Sequence, residues 1–473
     1  MNTINNIFNT EDLPNVRECE QSLLASLFAN NNGIDQVSDI LEPHHFYDEL
    51  YGEVYAEIVR LTGLGKQAIP PTMTGKFEAE DLADIMSGLI HVQNNRQYAK
   101  LIKTAYDRRR IIEIADEMRE AALTDVVSDD VDNIRERAET ELFALANTGT
   151  TIKPVTVGDA AAETLEQIRQ RMDAVADGRI TGVPSGISQL DGMLGGFQSS
   201  ELIILAGRPS MGKTASALTM AYNAVESVSS GVEDGDGAVL FFSLEMSKHQ
   251  ICERIFANRA DVSYSDIVQG KLDQQTFYHL TEFADHMKIS KMVIDDRPNA
   301  TVSRIRTEAR KVSRKAGLKM IVIDYLGYMG APREYAGNTL KEIAYNTKAL
   351  KALAKEMNIP VLLLCQLSRG VEQREDKRPM LSDLRDSGTI EQDADVVMFV
   401  YRQEYYLERE EPTKRAGETT DKFGERHGKW RDDLDKSRGI AEIIVGKNRR
   451  GRVGGVKCSF NGDRQRFANL QWP

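Results

Sequence analysis

The sequence has 473 residues, of which 41% are hydrophobic, 28% charged and only 7% aromatic, enough to build ordinary cores but too long for one, so two or three domains are expected. Its 60 Lys+Arg against 72 Asp+Glu leave a net charge of −12, which excludes a chain that is basic throughout; any nucleic-acid site has to be a local patch or a lumen. No apolar run approaches the roughly 20 residues of a membrane span, no basic stretch leads into an apolar one at the start, and the four cysteines and seven histidines lack disulfide-framework and zinc-ligand spacings, so a soluble, cytoplasmic protein is expected.

From residue 16 to about 146 the chain reads as helix after helix. Apolar residues recur at spacings of three and four in 20–27, 54–61, 111–118 and 134–145, with no strand-like alternation. An all-α domain over 1–150 is expected. A break around Asn147 to Thr151 and Pro154 follows, then one amphipathic segment, 159–176, with Leu165, Ile168, Met172 and Val175 on one face. Isolated between Pro154 and the pair Gly178 and Gly182, it reads as a linker helix over 151–182 whose apolar stripe docks on another domain or subunit. The alternative is the last helix of the first domain.

Beyond Gly182, short apolar runs at 202–206, 238–243, 292–295, 320–324, 361–366, 396–401 and 441–445 read as strands, separated by helical patterns at 214–228 and 340–357. That alternation predicts an α/β domain over 183–473 with a mostly parallel sheet. Residues 408–438 hold nine acidic and nine basic residues and four apolar ones; this composition reads as a solvated insertion. Residues 446–473 carry seven Lys+Arg and one Asp, so an acidic protein ends in a basic segment.

The strongest chemical signal is Gly207-Arg208-Pro209-Ser210-Met211-Gly212-Lys213-Thr214, a G-x-x-x-x-G-K-T loop after a predicted strand and opening a predicted helix. Glycines let backbone N–H groups close on phosphates, the helix N-terminus adds positive potential, Lys213 reaches the terminal phosphates and the Thr214 hydroxyl ligates Mg²⁺. Three other predicted strand ends carry polar groups. Asp324 ends an apolar strand as a carboxylate suited to the Mg²⁺, Glu245 is placed to polarise the attacking water, and Gln366 is an uncharged sensor of the γ-phosphate. All fall where α/β sheets bind ligands, at strand carboxyl ends, which makes an ATPase the coherent reading.

Lys447, Arg449 and Arg450 follow the last predicted strand. They offer a cation for the transition-state charge from a neighbouring subunit, or else form a surface patch or touch nucleic acid directly. In the segment 384–395, Arg385, Asp386 and Gly388 have the composition of a tight exposed loop leading into a short helix, where a backbone amide and a cation can approach a phosphate; an ordinary loop is the alternative.

Taken together these residues resemble the bacterial and phage replicative DNA helicases of the DnaB type. The resemblance rests on Arg17 to Leu24, Gly182-Val183-Pro184-Ser185-Gly186, the phosphate loop, Ser243-Leu244-Glu245-Met246-Ser247, Ile323-Asp324-Tyr325-Leu326, Gln366-Leu367-Ser368-Arg369 and Asp383-Leu384-Arg385-Asp386-Ser387-Gly388. It implies an all-α N-terminal collar joined by a linker helix to an α/β RecA-like P-loop ATPase domain. It further implies a homohexameric ring around single-stranded DNA, moving 5′ to 3′ with ATP and Mg²⁺, and a primase and a helicase loader as partners. By position it gives Lys213, Thr214, Glu245, Asp324 and Gln366 the catalytic roles above, Lys447 and Arg449 contact with the neighbour's ATP, and Arg385, Asp386 and Gly388 the DNA backbone. Gly327 stands where the family commonly has Gln, Cys365 where it has Ser, and Arg450 where it has Asn; the last leaves open whether Arg449 or Arg450 reaches across. A ring remodeller or loader that hydrolyses ATP without unwinding is the competing reading.

Overall fold

A computed structural model describes residues 13–88, 94–124, isolated positions between 131 and 145, 156–229, 237–332, 335, 337–384 and 387–470. The chain divides into two compact units, Met1–Val157 and Gly158–Pro473.

The first unit is helical: Arg17–Ala29, Glu49–Gly63, Pro70–Met73, Ala79–Met86 and the 30-residue Asn95–Thr124. The apolar spacing predicted this, and Leu23, Leu24, Leu27, Val54 and Ile58 of the predicted segments are fully buried together with Ile102, whereas Ile111 and Met118 of the segment 111–118 are exposed. Glu20 is buried with them, its carboxylate accepting the backbone N–H of Tyr47 at 2.8 Å and of Asp48 at 3.3 Å. Asp48 in turn caps the helix Glu49–Gly63, accepting from the Leu50 N–H. The expected helix over 134–145 lies mostly outside the described residues.

The second unit is built on a nine-stranded sheet of order β3-β2-β4-β5-β1-β6-β7-β8-β9. The strands are β1 Leu202–Gly207, β2 Ala238–Ser243, β3 Met292–Asp295, β4 Leu318–Asp324, β5 Val361–Gln366, β6 Val396–Tyr401, β7 Ile440–Asn448, β8 Gly454–Asn461 and β9 Arg466–Asn469. The pairings from β3 to β6 are parallel and those of β7, β8 and β9 antiparallel. Central strands are apolar on both faces because helices cover both. Ile203, Leu205, Phe241, Val322 and Leu362 pack on the side of the helix Lys213–Ser229. Leu202, Ile204, Phe242, Ile323 and Leu363 pack on the other side, against Val302–Ala316 and Thr339–Met357. All seven predicted strands occur; β8 and β9 were not anticipated.

The predicted amphipathic segment is the helix Val157–Ala176, and Leu165, Ile168, Met172 and Val175 on it are all exposed. The charged stretch 408–438 contains the helix Thr420–Ser437, tied back by the Trp430 indole N–H donating to the Leu407 carbonyl at 2.9 Å. None of its apolar side chains joins either core of this unit. No helix among the described residues is long and apolar enough to cross a membrane.

Candidate functional site

The phosphate loop leaves β1 at Gly207 and enters the helix at Lys213. Two of its residues, Ser210 at φ 66° and Gly212 at φ 90°, take left-handed backbone. At Gly212 an added Cβ would stand 3.0 Å from the Phe467 ring, so β9 presses against the loop from below and only glycine fits. Arg208 is pinned outward, donating from Nε to Glu372 at 2.9 Å and from Nη1 to the Leu367 carbonyl at 3.0 Å. Pro209 and Ser210 form the exposed crown of the loop, and Met211 is buried beneath it.

The parallel register delivers the other groups to this edge. Gly207 pairs with Gln366 and Ser243 with Asp324, so β1, β5, β2 and β4 end side by side. Thr214 Oγ1 donates to Asp324 Oδ2 at 2.7 Å. Asp324 is 1% exposed, and its Oδ1 has no hydrogen-bond partner among the described residues. Burial pushes its carboxyl above the usual range; Lys213 and Thr214 oppose the shift, and Glu245 adds to it. Glu245, two residues past the end of β2, and Gln366, the last residue of β5, face solvent, whereas Cys365, before Gln366, is buried with its thiol pushed up to about 12.

A buried carboxylate with one oxygen lacking a hydrogen-bond partner among the described residues, beside a threonine hydroxyl, is a donor set for a hard cation, and the adjacent lysine ammonium suits the polyphosphate that carries it. The residues present fit Mg²⁺. Lys213 Nζ stands 4.8 Å over the Tyr325 ring, and Tyr325 occupies the space beside Gly327, where an added Cβ would meet its ring at 2.6 Å. The departure at Gly327 thus makes room for the aromatic wall against Lys213.

Two further residues of this edge were not singled out from the sequence. Arg402, just after β6, donates to the Ser210 carbonyl at 3.4 Å and lies 4.2 Å over the Phe460 ring. Arg254 contributes to the potential at Asp324 while donating to Gln465 at 2.9 Å. Neither sits in a motif; each reaches the loop only through the fold.

Lys447, Arg449 and Arg450 are elsewhere. Because β7 is antiparallel, its end pairs with the beginning of β6, Val396 opposite Asn448 and Val397 opposite Lys447. That is the sheet edge where β1 begins, separated from the phosphate loop by the length of β1, about 16 Å. There Lys447 Nζ donates to the Glu391 carbonyl, and burial, aided by Arg449, lowers its ammonium pKa. Arg449 donates to Asp395 Oδ1 at 3.2 Å and to the Gln392 carbonyl, and Arg450 pairs with buried Glu201 at 2.8 Å. Gly388 is exposed in the first turn of the helix Ser387–Asp393; Arg385 and Asp386 lie outside the described residues. The segment around them is less exposed than its composition suggested, since Leu384, Ile390, Ala394 and Asp395 are buried.

The structure therefore gathers Lys213, Thr214, Glu245, Asp324 and Gln366 at one edge of the sheet and places Lys447 and Arg449 at the opposite edge. Residues 182–469 match the DnaB-like helicase C terminal domain and 12–104 the DnaB-like helicase N terminal domain. The chain is 38% identical to the replicative DNA helicase DnaB of Rickettsia conorii, over 97% of this chain and 94% of that one. It is 32% identical to the replicative DNA helicase DnaC of Bacillus subtilis, over 96% and 94%. Among solved structures it is similar to a DnaB-like replicative helicase described with its interactions with primase, with a TM-score of 0.67, 27% identity and coverage of 96% and 100%. It is also similar to a separately solved ATPase domain, with a TM-score of 0.56, 33% identity and coverage of 67% and 100%. With family matches on both units and near full-length similarity to such enzymes, the chain belongs to the DnaB family of replicative DNA helicases, ATP-dependent enzymes with a helical N-terminal domain and a RecA-like motor.

Proposed function

We propose that the chain is one subunit of a homohexameric ring in the bacterial cytoplasm, which encircles single-stranded DNA and moves 5′ to 3′ at the fork, each ATP held by one subunit and completed by the next. The observation that carries this reading is the split of the machinery across the sheet. Along the strands Arg449 stands about 16 Å and Lys447, level with Ile204, about 10 Å from the phosphate loop of their own chain, both beyond the reach of a side chain. A head-to-tail ring brings such opposite edges together at every interface.

In this reading the amides of Gly207 to Lys213 and the Lys213 ammonium hold the β- and γ-phosphates, and Thr214 and Asp324 hold Mg²⁺. The ion supplies charge neutralisation on the phosphates when bound. Glu245 orients and deprotonates water, Gln366 hydrogen-bonds the γ-phosphate and reports its loss, and Lys447 and Arg449 of the neighbour neutralise charge developing on the transferred group. Arg385, Asp386 and Gly388 take the DNA backbone. Residues 1–150 form the collar, 151–182 the linker whose apolar stripe docks on a neighbour, and 183–473 the motor; a primase and a loader are the partners. The ring-remodeller reading is not favoured, given the near full-length similarity to replicative helicases.

Native mass by light scattering, with and without ATP and Mg²⁺, tests the assembly. A hexameric mass is the expected result, and a persistent monomer contradicts a site completed between subunits.

A further inference from the structure

Asp395 lies at the start of β6, buried, and its carboxylate is shared three ways. Oδ2 accepts from Lys351 Nζ and, at 2.8 Å, from the Leu202 N–H, while Oδ1 accepts from Arg449 Nη1 at 3.2 Å. Leu202 begins the strand that carries the phosphate loop, and Lys351 sits on the helix Thr339–Met357, also donating to the Ser200 carbonyl at 2.7 Å. Arg449 also donates to the Gln392 carbonyl, and Lys447 to that of Glu391. These are C-terminal carbonyls of the helix Ser387–Asp393, the helix that carries Gly388. Cations there satisfy orphan acceptors and complement the helix dipole.

Arg449 is thus held by groups whose demand for it is divided. Lys351 makes the shorter ion pair with Asp395, 2.5 Å against 3.2 Å for Arg449, and half of the Arg449 side chain, 49%, is exposed. An arginine so held is ordered yet releasable. When it leaves, Asp395 keeps Lys351 and the Leu202 N–H, so no buried charge is stranded, whereas Gln392 loses a donor and the last turn of its helix loosens.

We propose that Asp395 is a positioning residue for Arg449, and that Arg449 alternates between this cradle and the neighbour's nucleotide, so that its engagement in hydrolysis is tied to the helix carrying Gly388. This rests on the reading of Arg449 as the residue completing the neighbour's site. DNA held at the start of the helix then favours release of Arg449 to the nucleotide at the next subunit.

The test is steady-state ATP hydrolysis by full-length protein, with and without single-stranded DNA. Asp395→Asn combined with Lys351→Met removes both charges of the buried pair at once, which protects folding. Released Arg449 should raise DNA-independent hydrolysis about 3- to 10-fold, the scale of one charge-assisted hydrogen bond at a half-exposed group. The stimulation by DNA should fall towards unity, with KM for ATP and DNA affinity unchanged. Lys351→Met alone leaves the whole Asp395 charge to Arg449 and should slow hydrolysis, a change of opposite sign that mere structural damage at one site does not predict.

An unchanged stimulation ratio in the double variant, equal losses with and without DNA, faster hydrolysis in Lys351→Met, or a parent enzyme that DNA does not stimulate would each overturn the proposal. Arg449→Ala measured in parallel separates the failures. Full hydrolysis there overturns the reading of Arg449 itself, whereas lost hydrolysis beside an unchanged ratio in the double variant overturns only the cradle.

Discussion

Arg449→Ala should abolish hydrolysis while leaving ATP bound, and the geometry dictates how that loss can be repaired. Arg449 is tethered at the edge where β1 begins, its backbone N–H on the Asp395 carbonyl and the Asp395 N–H on that of Leu202; Lys213 lies beyond the other end of β1. Five residue intervals of strand are about 16 Å, so neither arginine rotamers nor a modest loop shift brings the guanidinium to its own chain's phosphates. An arginine acting across an interface is worth roughly 10³- to 10⁵-fold in phosphoryl transfer, and that is the expected fall in turnover. Lys213→Ala should be equally dead, through lost phosphate contacts.

Mixed, the two inactive proteins complement. In a ring of head-to-tail interfaces assembled at random from equal amounts, about a quarter of the sites pair an intact Lys213 with an intact neighbouring Arg449. Recovery up to about that fraction of parental hydrolysis is expected once fluorescence exchange shows that subunits have mixed. No recovery in demonstrably mixed rings would refute the reasoning, as would parental hydrolysis by Arg449→Ala. Arg450→Ala, whose side chain pairs with Glu201, should keep hydrolysis.

Asp324→Asn should lose hydrolysis yet melt higher than the parent without nucleotide at about pH 8. Burial raises the folded pKa of Asp324 above its unfolded value, so its stabilising share is full at low pH and disappears as pH rises through the folded value. The gap in melting temperature should therefore narrow as pH falls through the raised folded pKa towards the ordinary carboxylate range, and a variant that melts lower than the parent at alkaline pH would contradict this. Leu165→Asp with Met172→Asp, both on the exposed stripe of the helix Val157–Ala176, should reduce the native mass without shifting the melting temperature, read by light scattering and calorimetry. Leu363→Ala, fully buried in β5, should cost about 2–5 kcal/mol, seen as a lower denaturant midpoint.

The central strands were legible because burial on both faces writes a continuous apolar run, as in Leu202 to Ala206 and Val361 to Leu364. The loop Gly207 to Thr214 was legible because its chemistry is contiguous. In β8 only Val456, Cys458 and Phe460 are buried among glycines, Lys457 and polar residues, and the basic character of the C-terminal segment hid the alternation. The edge on which Lys447 and Arg449 stand was also hidden, since it depends on β7 running antiparallel, which no local pattern encodes. Phe460 and Phe467 under the phosphate loop, Arg402 beside it and the Asp395–Lys351 pair join residues far apart in the chain. Such contacts follow from strand order and from where the helices cross the sheet. The segment 384–395 was read as exposed from its polar residues, but Leu384, Ile390 and Ala394 anchor it in the core facing Thr339–Met357.

The account turns on hydrolysis being spent to separate strands by a ring moving in one direction. Strand displacement on forks carrying only a 5′ or only a 3′ single-stranded tail, with the parent and Lys213→Ala, measures this directly. Unwinding of the 5′-tailed fork by the parent, dependent on ATP and absent in Lys213→Ala, is the predicted result. Equal unwinding of both forks, or vigorous ATP hydrolysis by assembled rings on DNA with neither fork opened, would contradict it.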